Sequence, residues 1–352
     1  MLPPHIGFIF KAARHAVSAD NSQPWHFFWD GTSIKISYDL QRVKDTTFPA
    51  ESPATLIAIG SVIEHMDQAA NEIDCPITWT ILEQAPLTYY AQGHVSQTNE
   101  NMPMPLDSEK IALFNRHTNR LAYKKEAIPA PVKETINALS LGANRAKLYD
   151  DPTLIKEISK LVYSSSEVRF QTKEVHEWLG KSFRFTSAEV AQGDGLDVAT
   201  IDLPPGGKLF LKLIGNWKRM SILNKLGIYK MLCHIDASPV KHASGLIAII
   251  GDHSKSETIN AGRLMTRLWI ELNAQGIAVQ PYYVITDQLN RLSDGTVPKH
   301  LTDKINQVKA KNIPLFDLKA NERLHMLLRI GYPKSAPVKS KRLAMKLIAT
   351  EE

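Results

Sequence analysis

Arg116-His117-Thr118-Asn119-Arg120 sets two guanidiniums four residues apart with a hydroxyl midway between them. Arg forks take phosphate oxygens in pairs and a Thr hydroxyl adds a neutral donor, so the cluster suits a phosphate. It also suits a solvated helix end. A second run, Val17-Ser18-Ala19-Asp20-Asn21-Ser22-Gln23-Pro24-Trp25, puts Ser18, Asn21 and Gln23 ahead of a rigid Pro-Trp pair. A loop that only needs to turn favours Gly or Pro-Gly. Uncharged donors and acceptors at this density suit the rim of a planar, anionic organic ligand, or else a capped turn that leads to a core Trp. Lys339-Ser340-Lys341-Arg342 follows Pro337, which favours an extended arm able to reach a distant site, with a solvated tail as the alternative.

No side chain stands out as a general acid, base or nucleophile. HExxH, GxSxG, Walker A and GxGxxG patterns are absent, and the twelve histidines lack metal-ligand spacing. No catalytic residue and no metal ligand is therefore assigned. This pattern fits a cofactor that carries the chemistry while the protein positions it, and it equally fits a protein that is no enzyme.

The elements that must position these residues follow from periodicity. Residues 6–16 read as a helix. Residues 26–29 and 33–38 read as strands joined by Asp30-Gly31-Thr32, a hairpin signal. Ile59, Val62, Ile63, Met66 and Ile73 keep helical spacing within a helix over residues 54–73. A strand over 77–82 comes next, then a linker at Met102-Pro103-Met104-Pro105. Helices are expected over 108–116 and 131–141, and mostly helical chain over 150–200. A strand over 244–250, a helix over 256–275 that closes on Gly276, and a strand over 280–286 complete the pattern.

A weak internal repeat runs through this order. Gly60 and Gly262 each lie in a long helix, 202 residues apart. At that offset Val62 meets Leu264, Met66 meets Leu268, Ala70 meets Leu272 and Asn71 meets Asn273. Both helices then feed a strand. Two amphipathic helices could align this well by chance, but the shared order of strand, helix, strand favours duplication, with two halves packed about a pseudo-two-fold axis.

The chain has 352 residues, enough for one large or two medium domains, with 43% hydrophobic and 22% charged residues. Cys75 and Cys233 form no CxxC pair, which points away from a disulfide framework or a thiolate zinc site. No apolar run reaches the roughly 18 residues of a membrane span, and no secretory signal is evident, so a cytoplasmic location is expected. The net charge of +6 suits phosphorylated small molecules and falls short of a nucleic-acid signature. Residues 203–235 carry Lys208, Lys212, Lys218, Arg219, Lys225 and Lys230 and no acidic residue. Three readings compete for this segment: a solvated amphipathic helix, a lid hinged at Pro204-Pro205-Gly206-Gly207, and a membrane-surface helix. The first two are preferred, and no membrane partner is expected.

These motifs together resemble the FMN-dependent nitroreductase family. Its Arg-x-Ser/Thr-x-Lys/Arg motif corresponds to Arg116-His117-Thr118-Asn119-Arg120, its Asn-x-Gln-Pro-Trp motif to Asn21-Ser22-Gln23-Pro24-Trp25, and its C-terminal basic pair to Lys341-Arg342 after Arg329-Ile330-Gly331-Tyr332-Pro333. Ordinary members carry the Arg motif first and dimerise. Here the Asn-x-Gln-Pro-Trp motif precedes it by about 95 residues, which is the arrangement of the tandem, single-chain subfamily. The segment from Glu177-Trp178 to Asp194-Gly195-Leu196 also looks like that subfamily.

The resemblance implies an α+β, nitroreductase-like fold of two related halves, each a mostly antiparallel sheet flanked by long helices, fused as a pseudo-dimer that is a monomer in solution. The halves would be residues 1–105 and 106–352, with a basic, lid-like insertion around 177–238. It implies one FMN per chain, its phosphate held by Arg116, Thr118 and Arg120 with Lys341 or Arg342. Ser18, Asn21 and Gln23 would reach the flavin from the first half. Residues 281–284 would lie against the isoalloxazine, Tyr283 and Val284 included, where a backbone N–H faces flavin N5 in the family. Tyr282 and Tyr283 would crowd or stack on the ring. NAD(P)H and a nitroaromatic, quinone or similar acceptor are the implied partners. The alternative is a non-catalytic flavin store or sensor.

Overall fold

The computed structural model describes residues 2–44, 47–83, 89–96, 105, 107 and 110–351. The expected linker lies outside the described residues apart from Pro105, as do Ser108 and Glu109 at the head of the expected 108–116 helix. What is described of that helix is short, Ala112–Asn115.

The chain is mixed α+β, with twelve strands among the described residues. In chain order they are β1 (Trp25–Trp29), β2 (Ser33–Tyr38), β3 (Ile77–Ile81), β4 (Ala91–Val95), β5 (Ser140–Leu141) and β6 (Asn144–Tyr149), then β7 (Phe183–Arg184), β8 (Leu196–Asp197), β9 (Gly245–Asp252), β10 (Ala278–Tyr282), β11 (Glu322–Gly331) and β12 (Ala349–Glu351). One five-stranded sheet has the order β12-β1-β2-β4-β3 and a second the order β10-β11-β9-β6-β5. Every pairing in both sheets is antiparallel except β1 with β12. The chain's last strand thus closes the sheet that its first strand opens, pairing Phe27 with Ala349 and Trp29 with Glu351.

The β1–β2 hairpin forms because Gly31 adopts a left-handed φ of 93° and Asp30 Oδ1 accepts from the N–H groups of Thr32 and Ser33 at 3.1 and 2.7 Å. Trp25 and Phe27 point inward from β1 and pack with Phe10, Ile59, Ile63 and Met66 in the core of the first sheet. The second sheet is covered on both faces. Ile247 and Ile249 of β9 pack with Leu264, Leu268 and Trp269 on one side, while Leu246, Ala248 and Ile250 pack with Ile158, Val162 and Ile305 on the other. That double coverage explains the unbroken apolar run of β9.

The Pro53–Asn71 and Lys255–Ala274 helices pack between the sheets and cross at their glycines. A Cβ built on Gly60 would overlap the Ile259 carbonyl oxygen and lie 2.9 Å from Gly262 Cα. One built on Gly262 would overlap the Ile57 carbonyl oxygen and lie 2.9 Å from Ile57 Cα. Ile57 and Ile259 are separated by the same 202 residues as the glycines, so the contact is reciprocal. Buried Glu64 adds ion pairs to Arg267 at 2.8 Å and Arg263 at 3.6 Å across the same crossing.

The structure corrects several expected elements. The strand expected over 280–286 stops at Tyr282, and Val284–Ser293 is a helix. Tyr283 already has right-handed helical φ/ψ. Val284, Ile285, Gln288 and the i,i+4 pair Asp287–Arg291 form a buried helical stripe, so a period of 3.6 wins over the local β-branched composition. The polar stretch after it contains another helix, Thr302–Phe316, with Ile305, Val308 and Phe316 buried. Residues 203–235 hold three helices rather than one: Gly207–Ile214, Trp217–Lys225 and the start of Ile228–Lys241. Gly227, at φ 85°, makes the last of the breaks between them. Among the described residues no helix is long and apolar enough to cross a membrane.

Candidate functional site

The loop that precedes β1 takes an unusual path. Asp20, Asn21 and Gln23 all adopt positive φ, at 47°, 58° and 49°. Such a cluster in L-residues is strained and persists only where the surroundings impose it. Ser18 Oγ accepts from the Gln23 N–H at 2.9 Å and so closes the loop on itself. Arg42 fastens it from outside, donating to the carbonyls of Ser22, Gln23 and Trp25 while paired with Asp39.

Two loop side chains then reach into other parts of the chain. Gln23, fully buried, donates to the Gly193 carbonyl at 2.9 Å and accepts from the Leu343 N–H at 3.1 Å. Asn21 donates to the carbonyls of Gly193 and Lys341 at 3.3 and 3.0 Å, and its Oδ1 accepts from the Arg342 guanidinium. The loop thereby ties the C-terminal arm and the stretch around Gly193 to the first sheet.

The Arg motif is equally well placed. Residues 116–120 follow the short Ala112–Asn115 helix without regular secondary structure, and Arg116 and Asn119 are buried, so a solvated helix end is not what forms. The His117 N–H donates to Asn273 Oδ1 at 2.8 Å, the Trp269 indole N–H donates to the His117 carbonyl at 2.8 Å, and the Asn119 N–H donates to the Val279 carbonyl at 3.0 Å. The Lys255–Ala274 helix and β10 therefore set the register of the motif, and Arg116 lies over the Trp269 ring at 4.8 Å.

A cavity of about 990 Å³ is lined by residues of the Asn21 loop, the Arg116 segment, residues 169–239, the start of the Val284–Ser293 helix and the C-terminal arm. Its strongest electrostatic feature is one cationic end. Arg116 is only 4% exposed and donates to the His15 carbonyl through Nε and Nη2, at 3.3 and 3.0 Å. Arg342 donates to the same carbonyl at 3.3 Å. Arg116 Nη1 and Arg14 Nε are buried without a hydrogen-bond partner. Among the described residues none of these three guanidiniums forms a salt bridge. Burial, and then the charge of Arg342, hold the Arg116 pKa well below its ordinary value, while burial and then Arg14 bring that of Arg342 down to about 10. His15 is pushed down to about 3 by burial first and then by Arg342, Arg116, Arg14 and Lys11, so it is neutral near pH 7. Buried, unpaired positive charge with an orphaned donor is costly unless an anion meets it. A phosphate dianion matches that donor set.

The rest of the cavity is largely apolar and aromatic. Phe48, Trp178 and Tyr283 come from three distant stretches of the chain: the loop before the Pro53–Asn71 helix, the Lys173–Ser182 helix and the end of β10. They meet edge to face, with Phe48 centroids 5.6 Å from Trp178 and 5.8 Å from Tyr283. Val284 opens the helix beside them, so its N–H is one of the first-turn donors without an intrahelical partner. Tyr282, buried among the core residues of the second sheet, lines the same cavity.

Of the residues assigned from sequence, Ser18, Asn21, Arg116, Thr118, Arg120, Tyr283, Val284 and Arg342 line this one cavity. Gln23 and Lys341 do not. Gln23 spends its amide on the tail and insertion, and Lys341 offers Asn21 its carbonyl while its side chain points elsewhere. Nor do Arg116 and Arg120 gather round one point. Arg116 donates to the His15 carbonyl, whereas Arg120 bonds Thr200 Oγ1 at 3.4 Å within the field of Asp20. Sequence reasoning passed over Arg14, although it lies in the helix expected over residues 6–16, and over Phe48 and Trp269, which look like ordinary core residues.

No family model matches the chain, and no curated protein matches it. Solved structures do. A nitroreductase with bound FMN from Bacteroides fragilis is 12% identical, with 70% of this chain and 100% of that one covered at a TM-score of 0.39. The FMN-dependent nitroreductase NfnB from Mycobacterium smegmatis, in complex with NADPH, is 11% identical over 67% and 94%, at 0.37. An FMN-dependent nitroreductase from Clostridium difficile is 15% identical over 68% and 97%, at 0.35.

Proposed function

We propose that this chain is an FMN-binding oxidoreductase of the nitroreductase type, holding one flavin between two fused, related halves. The observation that carries this reading is Arg116. Its buried Nη1 lacks a partner, beside Arg342 and Arg14, at one end of an aromatic cavity. Arg116, Arg342 and Arg14 would hold the phosphate, with Ser18 and Thr118 nearby on the wall. Tyr283 and the first-turn N–H of Val284 would face the ring system, where a helix N-terminus favours negative charge.

FMN, when bound, supplies the hydride chemistry that no side chain here offers. In this reading NAD(P)H is the reductant, and a nitroaromatic, quinone or similar molecule is the acceptor, in the cytoplasm. The halves are residues 1–105 and 106–352, with 177–238 as the cover. The reciprocal Gly60–Gly262 crossing and the five-stranded sheet on either side of it support a pseudo-dimeric duplication within one monomeric chain.

A second reading, a flavin-binding protein without turnover, is favoured by one observation. The Phe48–Trp178–Tyr283 contact joins the cover to both halves and restricts entry. Anaerobic addition of NADH or NADPH to the purified protein separates the two. Bleaching of the flavin band within seconds supports the oxidoreductase. A flavin that yields only to dithionite supports the store. Protein that is colourless and does not retain added FMN overturns both.

A further inference from the structure

The three helices over residues 207–241 present an outer face that the fold does not use. Their inner face is satisfied: Ile214, Met220 and Leu232 form a small core with Phe210, Leu211 and Trp217. Outside it, Leu209 is 74% exposed, Ile222 62% and Leu226 77%. Six of the eleven large exposed hydrophobic residues among those described fall within residues 203–235, the other three being Leu213, Met231 and Ile235.

These residues are arranged, not scattered. Leu209 and Leu213 are i,i+4 neighbours on the first helix, as are Met231 and Ile235 on the third, and Ile222 and Leu226 follow the same spacing across the end of the second. Lys208, Lys212, Lys218, Arg219, Lys225 and Lys230 are all exposed around them, and residues 203–235 contain no acidic residue. Among the described residues none of the six enters a salt bridge. Met231 and Ile235 are half-exposed and also line the cavity, so this face borders its mouth.

We propose that this outer face docks on an anionic membrane surface, with the cavity mouth turned toward the lipid. Apolar side chains inside a ring of basic ones, on short helices that cannot span, are what interfacial binding needs. The leucines enter the headgroup boundary while the lysines meet lipid phosphates. An acidic soluble partner would answer the charge alone and leave Leu209, Ile222 and Leu226 unexplained. The sequence expectation of no membrane partner is revised on this exposure.

The experiment is co-sedimentation of the full chain with phosphatidylcholine vesicles, with and without phosphatidylglycerol, followed also by Trp fluorescence. It needs no flavin, so its outcome is separate from that of the proposed activity. Binding at least about tenfold tighter to the anionic vesicles is expected, weakened by salt. Lys208→Glu with Lys212→Glu should abolish the anionic preference. Leu209→Ser with Leu226→Ser should abolish the binding that survives high salt. These positions are exposed, and unchanged thermal melting confirms that the variants fold.

Lys309→Glu with Lys311→Glu, on an exposed face elsewhere, should leave binding intact. Equal loss in that control means general charge attraction and overturns the proposal. So does absence of anionic-vesicle binding, or a dimer in light scattering that the leucine variant abolishes without any vesicle binding.

Discussion

Gly60 and Gly262 meet at the crossing of the two central helices, each occupying the one spot where the other helix leaves no room for a methyl group. The close approach brings the Lys255–Ala274 helix, and with it Trp269 and the segment that carries Arg116, onto the Pro53–Asn71 helix. One backbone contact therefore sets the spacing of the two halves of the cavity.

Gly60→Ala and Gly262→Ala should each destabilise the chain by at least about 1–3 kcal/mol, since the new Cβ would strike a backbone carbonyl that cannot swing aside. Because both changes open the same crossing, the double variant should lose less than the sum. Thermal or urea unfolding measures this. Unchanged melting in both variants would refute the tight crossing.

Arg116→Ala and Arg342→Ala should each weaken FMN and inorganic phosphate binding by about 1.5–3 kcal/mol, roughly 10- to 100-fold, as one charge-assisted contact is lost. Arg120→Ala should leave phosphate binding nearly unchanged, because Arg120 lies with Thr200 and Asp20 rather than at the cationic end. Titration by quenching of flavin fluorescence, with phosphate as competitor, tests the difference. Equal losses in all three variants would return Arg120 to the phosphate.

Gln23→Ala removes a side chain that does not line the cavity, yet it should lower FMN affinity. The Gln23 amide holds the Leu343 N–H, and through it the arm that delivers Arg342. Hydrogen exchange over residues 340–351 should accelerate in the same variant. Fast exchange with undiminished FMN affinity would detach the tail from the site.

His15 should make stability depend on pH. Its folded value of about 3 lies below the ordinary 6.5, so the unfolded chain takes up a proton first as pH falls. Its contribution is complete above about pH 6.5 and is lost progressively toward pH 3. Melting of the wild type should therefore fall across that window relative to His15→Gln. Saturating phosphate or FMN should shrink the gap, since a dianion offsets the arginines that hold His15 neutral. Parallel profiles for the two proteins would remove His15 from the cationic cluster.

Much of the local structure was legible in sequence. The Asp30-Gly31-Thr32 hairpin, the Pro53–Asn71 helix and the Lys255–Ala274 helix follow from turn chemistry and apolar spacing, and these depend on neighbours within a few residues. The offset of 202 residues between Gly60 and Gly262 was visible too, as was the clustering of Ser18, Asn21, Arg116 and Arg120 as polar groups short of an obvious partner.

What sequence could not decide was which of these groups meet. The division of labour between Gln23, which staples the tail, and Asn21, which shares that task and also lines the cavity, depends on β12 returning 322 residues later to pair with β1. The different partners of Arg116 and Arg120 depend on Trp269, Asn273 and Val279 holding the chain between them by hydrogen bonds. The helix at Val284 depends on a buried stripe paired through Asp287 and Arg291. Local propensity and spacing are properties of short stretches, whereas charge pairing, burial and the orphaning of Arg116 Nη1 exist only once distant segments pack together.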